Sequence, residues 1–392
     1  MAAPSPFKIN VDESILKTLG EKLALARLPK PVALPQGQEW LQGSPISDIS
    51  DLVQHWKSSY NWRERETLLN KELASQYTVD LELEGYGKQT VHYFIKESPR
   101  KDAIPLLLIH GWPGSVLEFK KLAPMLADPK DDSKAAFHVV APSLPGFGFS
   151  SPPTGAMQGP FKIAELFDSL MEKLGYPKYA SQGGDWGSMI TRALAIQFPQ
   201  RCRAIHVTML EAPKPDDWKD EDATDFEKKK LADMAEFYTA QPYLQTNVRT
   251  PQTAAFALTD SPVGLLALFY EKLARWVDDR HFKFSKDEVL DAVMMHYIGG
   301  PEWGLRLYQS GMYTGEIPKS YNESLKGKDV AFGCSAFHYE LLGVPRRWAE
   351  RVNDIVFWKE RDVGGHFPQV ECPELLAADL QDMFKELKPK FS

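Results

Sequence analysis

Few features of this 392-residue chain point to a nucleic acid, a membrane or a disulfide scaffold. Acidic residues outnumber basic ones, 53 to 46, for a formal charge of -7 at pH 7. Such a balance offers no basic surface to phosphates and argues against a nucleic-acid partner. Only three cysteines occur, Cys202, Cys334 and Cys372. Their odd number and wide separation fit buried apolar thiols in a reducing compartment, with neither a disulfide framework nor metal-ligand spacing. No apolar run is long enough to span a bilayer, and residues 1–8 hold no basic stretch leading into an apolar one. A cytoplasmic protein without a membrane anchor is therefore expected. Internal repeats and low-complexity segments are also missing. What remains, 43% hydrophobic and 25% charged residues, is an ordinary globular composition, large enough for one domain with an insertion or for two domains.

The order of periodic segments supplies the architecture. Asp12 ahead of Ile15, Leu16, Leu19 and Leu23 reads as an N-capped helix that ends at the Pro-rich run 28–35. A second helical region carries Leu52, Val53, Trp56, Leu68, Leu69 and Leu73. Residues 77–83 and 90–96 alternate around Gly85 and Gly87, a hairpin signal. From Ile104, short apolar strands (104–110, 137–141, 179–183, 204–209) alternate with helical periods (116–126, 163–174, 188–198), which predicts βαβ units and a mostly parallel sheet. Residues 211–326 have no clear strand and many helical periods, so a helical lid inserted over the carboxyl ends of the strands is expected. Strands at 330–334 and 355–358 and a helix at 374–387 close the chain. The expected division is an N-terminal wrapping segment and hairpin over 1–100, a core over 101–210 and 327–392, and the lid over 211–326.

Three short stretches carry chemistry. Ser181-Gln-Gly-Gly-Asp185-Trp-Gly187 has small residues two before and two after Asp185, as a sharp strand-to-helix turn requires. A carboxylate there can attack a saturated carbon and form an ester with the enzyme; the competing assignment is a helix N-cap. His110-Gly-Trp-Pro-Gly114 follows a strand, and its turn can aim the Trp112 N–H, together with that of Trp186, at a developing oxyanion. Gly364-Gly-His366-Phe follows the last strand and gives a histidine the freedom to act as base. The histidine needs a carboxylate behind it. Glu340, just past the strand 330–334, is favoured over Asp362 on the same loop and over Asp354, which opens a strand. The leaving oxygen needs a donor, and the lid offers Tyr238, Tyr243, Tyr270, Tyr297, Tyr308, Tyr313 and Tyr321, among which side-chain chemistry alone does not choose.

Together these stretches resemble the microsomal-type epoxide hydrolases, in particular their soluble fungal-like form, within the α/β-hydrolase superfamily. The likeness covers nearly the whole chain: residues 7–29, HGWPGS at 110–115, GGDWG at 183–187 and GGHF at 364–367. The resemblance implies an α/β-hydrolase fold with a mostly parallel twisted sheet, an inserted helical lid and an N-terminal meander. It implies Asp185 as nucleophile, His366 as base and Glu340, ahead of LLGVPRRW, as acid. Tyr243, in the run to Thr253, and Tyr308, in LRLY, match the epoxide-activating tyrosines, and Trp112 and Trp186 the oxyanion donors. The implied reaction converts a small apolar epoxide and water into a vicinal diol through a hydroxyalkyl-Asp ester, with no cofactor and no metal. A homodimer is compatible with the sequence. Two rivals share the motifs: a haloalkane dehalogenase, using the Trp112 and Trp186 indoles as halide donors, and a noncatalytic binder of hydrophobic ligands.

Overall fold

The computed structural model describes residues 3–73, 75–153, 155 and 157–391. Nine strands form one sheet: β1 (Ser5–Phe7), β2 (Ser75–Leu83), β3 (Gly87–Lys96), β4 (Ile104–Ile109), β5 (Phe137–Pro142), β6 (Tyr179–Gly183), β7 (Cys202–Val207), β8 (Ala331–Tyr339) and β9 (Ile355–Gly365). Their order is β1-β2-β3-β5-β4-β6-β7-β8-β9. The strands from β5 onward run parallel, while β1, β2 and β3 join antiparallel. The hairpin is thus continuous with the main sheet through β3 and β5. Leu106, Leu107, Leu108 and Ile109 are wholly buried, as expected of a central parallel strand covered on both faces. Helices Pro160–Lys173 and Trp186–Gln197 pack together, and Pro373–Lys385 sets Phe384 against Phe137 of β5.

Several sequence expectations need correction. The helix expected over 116–126 is a 3-10 turn, Val116–Phe119, followed by a short helix, Leu122–Ala127. Pro124 lacks an N–H and its ring crowds the carbonyl four residues back, so one continuous helix is not available. The second helical region is two helices, Ile46–Ser58 and Trp62–Glu72, the latter capped by Asn61. β8 and β9 run well past 334 and 358, because the edge strand β9 tolerates Lys359, Glu360, Arg361 and Asp362 on exposed backbone. Asp362 therefore lies inside a strand and does not share a loop with His366.

Between β7 and β8 there is no strand. Seven α-helices fill the gap: Asp225–Ala240, Pro242–Arg249, Pro251–Asp260, Pro262–Arg275, Lys286–Gly299, Glu302–Tyr313 and Glu316–Asn322. No single helix among the described residues is long and apolar enough to cross a membrane. Rings of the inserted helices pack on the core here: Tyr243 and Tyr308 on Trp112, in the turn after β4, and Tyr308 also on Trp186, which opens the helix after β6.

Candidate active site

Asp185 stands at a strained corner. Its φ of 52° and ψ of -129° place a non-glycine residue in a sparsely populated region between β6 and the helix Trp186–Gln197. The corner closes only because its neighbours lack side chains. A Cβ on Gly183 would lie 2.2 Å from the backbone of Gly187, and one on Gly187 would lie 2.0 Å from the Ile109 carbonyl oxygen. The Asp185 side chain makes no capping bond to its helix, which removes the N-cap assignment. Instead its Oδ1 accepts the Trp112 backbone N–H at 2.7 Å, and Oδ2 faces His366 Nε2 at 3.4 Å.

His366 Nε2 has no aligned hydrogen bond at that distance, while Nδ1 meets Glu340 Oε1 at 2.7 Å. Asp185, His366 and Glu340 thus form one chain of contacts from the ends of β6, β9 and β8, where an open parallel sheet presents its ligand crevice. Burial alone would push His366 down, but Glu340 and Asp185 outweigh it and hold the imidazole well above its usual range. Asp354 is remote: its carboxylate accepts the Gly327 N–H below the sheet.

Among the seven tyrosines, Tyr243 and Tyr308 reach this corner. The Trp112 ring stacks on Tyr243 at 5.3 Å and meets Tyr308 edge-on at 5.6 Å; Tyr308 is also edge-on to Trp186 at 4.9 Å, and the two phenols lie 5.9 Å apart. Burial first, and then nearby negative charge that includes Asp185, keeps both phenols well above their ordinary pKa, so both hold their protons. Tyr238 is exposed and bonds Glu211, Tyr270 bonds Asp48, and Tyr313 is exposed. Tyr321 is buried, and its hydroxyl has no hydrogen-bond partner among the described residues.

Several supporting residues were given no role of their own in the sequence reading. Gly111 is one, since a Cβ there would sit 2.1 Å from Asp185 Oδ1. Gly111→Ala should displace the carboxylate, break its bond to Trp112 and lower turnover roughly a hundredfold, the usual cost of an ångström of misplacement. The rate of the variant beside the wild type checks this, and a wild-type rate would mean the corner relaxes around the methyl group. Glu371 is another. Its carboxylate accepts the N–H groups of Gly365, Phe367 and Asp278, so it ties the histidine loop to the inserted segment, and burial pushes it up to about 7. Trp276 completes that tie, its carbonyl accepting the His366 N–H at 2.8 Å and its ring lying 5.1 Å from the imidazole. Lys230, from the helix Asp225–Ala240, donates to the Glu340 carbonyl oxygen at 2.6 Å. Glu371, five residues after His366 and the last residue of the one-turn helix Pro368–Glu371, was the one with a local signal: a carboxylate near enough in sequence to gather the N–H groups of Gly365 and Phe367.

Comparison with known proteins follows the same lines. The family model described as Epoxide hydrolase N terminus matches residues 4–119, and that described as alpha/beta hydrolase fold matches residues 104–286. A Stigmatella aurantiaca protein provisionally named an epoxide hydrolase is 36% identical over 98% of this chain and 86% of its own length. Juvenile hormone epoxide hydrolase 1 of Ctenocephalides felis is 32% identical over 99% of this chain and 87% of its own. Among solved structures, Aspergillus niger epoxide hydrolase superposes with a TM-score of 0.85 at 29% identity, covering 98% of this chain and 97% of that one.

Proposed function

The chain belongs to the epoxide hydrolases of the α/β-hydrolase fold, and from that premise we propose which of its atoms open the ring and which release the diol. A small apolar epoxide enters between the lid, residues 211–326, and the core, 101–210 and 327–392, with the segment 1–100 wrapped around them. Its oxygen takes hydrogen bonds from Tyr243 and Tyr308. Asp185 Oδ2 attacks a ring carbon; the C–O bond breaks, its electron pair goes to the epoxide oxygen, and a tyrosine hydrogen follows. Asp185 Oδ1 keeps its place at the Trp112 N–H.

Esterification discharges Asp185. That removes one of the two carboxylates holding His366 protonated, and the imidazolium can restore the tyrosine's proton. Neutral His366, held by Glu340, then takes a proton from water as the oxygen adds to the ester carbonyl. The oxyanion forms on Oδ1, where the N–H groups of Trp112 and Trp186 stabilise it; each such donor is typically worth about two to three orders of magnitude in rate. Collapse expels the diol, and the new carboxylic acid returns its proton to the leaving oxygen. Three buried free thiols favour a cytoplasmic setting.

The observation that carries this reading is the single carboxylate bonded to Trp112 through one oxygen and facing His366 through the other. A single turnover with enzyme in excess of styrene oxide in heavy-oxygen water tests the route. The first diol should carry unlabelled oxygen, with the label appearing in the Asp185 carboxylate. Label entering that first diol would mean water attacked the ring directly.

A further inference from the structure

Lysine is among the residues least often fully buried, and a buried one needs a partner. Lys272, on the helix Pro262–Arg275, is only 2% exposed. Its Nζ has one ion-pair partner, Glu271 at 3.1 Å, which is itself a third exposed. The other side of the ammonium is aromatic: Nζ lies 4.5 Å from the centroid of Tyr243 and 5.7 Å from that of Trp276. The ring covered by this cation is the one stacked on Trp112 at the mouth of the Asp185 corner.

Resting on the assignment of Tyr243 as a donor to the epoxide oxygen, we propose that Lys272 is a positioning residue for ring opening, its ammonium lying over the Tyr243 ring to stabilise the negative charge that reaches the phenol as the ring opens. When the epoxide C–O bond breaks, the electron pair settles on the epoxide oxygen, which draws the Tyr243 hydrogen towards itself. Charge then moves onto the phenol oxygen and into its π system. A cation over the face attracts an electron-rich ring more strongly than a neutral one, so the contact tightens as the transition state forms. Burial lowers the pKa of Lys272 and Glu271 works against that; the ammonium acts by its charge and transfers no proton in the step. The arrangement also answers a difficulty of the site: burial and Asp185 both make Tyr243 reluctant to give up its hydrogen, and Lys272 is the positive group placed on its ring. Glu271 moderates that charge without neutralising it, because water reaches the carboxylate and not the ammonium.

The test separates the two chemical steps with styrene oxide. Lys272→Met keeps the length and volume of the side chain and removes its charge. Ester formation, followed in a single turnover, should slow about tenfold, within the range of a desolvated cation–ring contact, while hydrolysis of the ester is unchanged. Lys272→Arg should regain most of the loss, and Tyr243→Phe/Lys272→Met should form ester no more slowly than Tyr243→Phe alone. Unchanged ester formation in Lys272→Met, equal slowing of both steps, or multiplied losses in the double variant would each overturn the proposal. If Lys272→Met does not fold, Glu271→Gln decides: freeing the lysine of its counter-charge should hold or raise the rate of ester formation, and a fall overturns the inference. Ester formation at the wild-type rate in Tyr243→Phe would instead remove the tyrosine assignment on which the inference stands.

Discussion

Replacing Asp185 with alanine is expected to abolish diol formation while leaving the chain folded. No other carboxylate among the described residues is bonded to Trp112 or faces His366 Nε2, so nothing remains to attack the epoxide carbon. The activity loss should be at least about four orders of magnitude, comparable to removal of a nucleophile elsewhere. Stability should change far less. Alanine inherits the positive φ of 52° and so relieves little of the strain at the corner, which for such a residue is of the order of 1–3 kcal/mol. The variant forfeits one charge-assisted bond to the Trp112 N–H, about 1.5–3 kcal/mol. It also relieves whatever cost attends a partly buried carboxylate, and the two act in opposite directions. Product analysis by chromatography beside a thermal melt distinguishes a lost nucleophile from a lost fold. Diol appearing at an appreciable fraction of the wild-type rate would remove Asp185 from the role.

The parts of this site that were legible in the sequence are those in which chemistry and backbone geometry are local. Gly183 and Gly187 around Asp185, the turn at Trp112 and the glycines before His366 each state a conformational demand within a few residues. Glu340 was legible by position alone, as an acid beyond a strand, although that strand, β8, ends five residues later than its apolar run and so comes right up to Glu340. The added length of β8 pairs with β9, whose own extension was hidden because an edge strand need bury only part of its length, and charged residues from 359 to 362 erase the alternation a reader looks for. Side-chain chemistry did not choose among the lid tyrosines, and Tyr243 and Tyr308 were reached only through the family resemblance. What brings these two rings to Trp112 is how the helices Pro242–Arg249 and Glu302–Tyr313 pack against one another, a tertiary fact with no local signature. Lys230 and Lys272 were invisible for the same reason: a lysine in an amphipathic helix reads as solvent-facing until another element covers it. The fold class, carried by alternating strands and helices, needed no such information.

Replacing His366 with glutamine should trap the enzyme halfway. The amide is long enough to keep a hydrogen bond to Glu340 Oε1, so the loop fixed by Trp276 and Glu371 has little reason to move. Asp185 still has its oxygen on Trp112, and Tyr243 and Tyr308 still meet the epoxide, so ring opening proceeds. Hydrolysis loses its base, a change typically worth about two to four orders of magnitude. The ester then accumulates, one per active site. Addition of an epoxide expels no atoms, so the mass of the protein should rise by the full mass of styrene oxide, and the modified peptide should be the one that contains Asp185. The decay of that adduct should also lose the pH dependence that His366 gives the wild-type enzyme, because glutamine does not titrate. Three results are diagnostic. An adduct on Asp185 that persists supports the division of labour between the carboxylate and the imidazole. An adduct on another side chain would move the nucleophile elsewhere. Steady diol release with no adduct would mean that His366 does not govern the second step, and that the carboxylate it faces at 3.4 Å is hydrolysed by some other route.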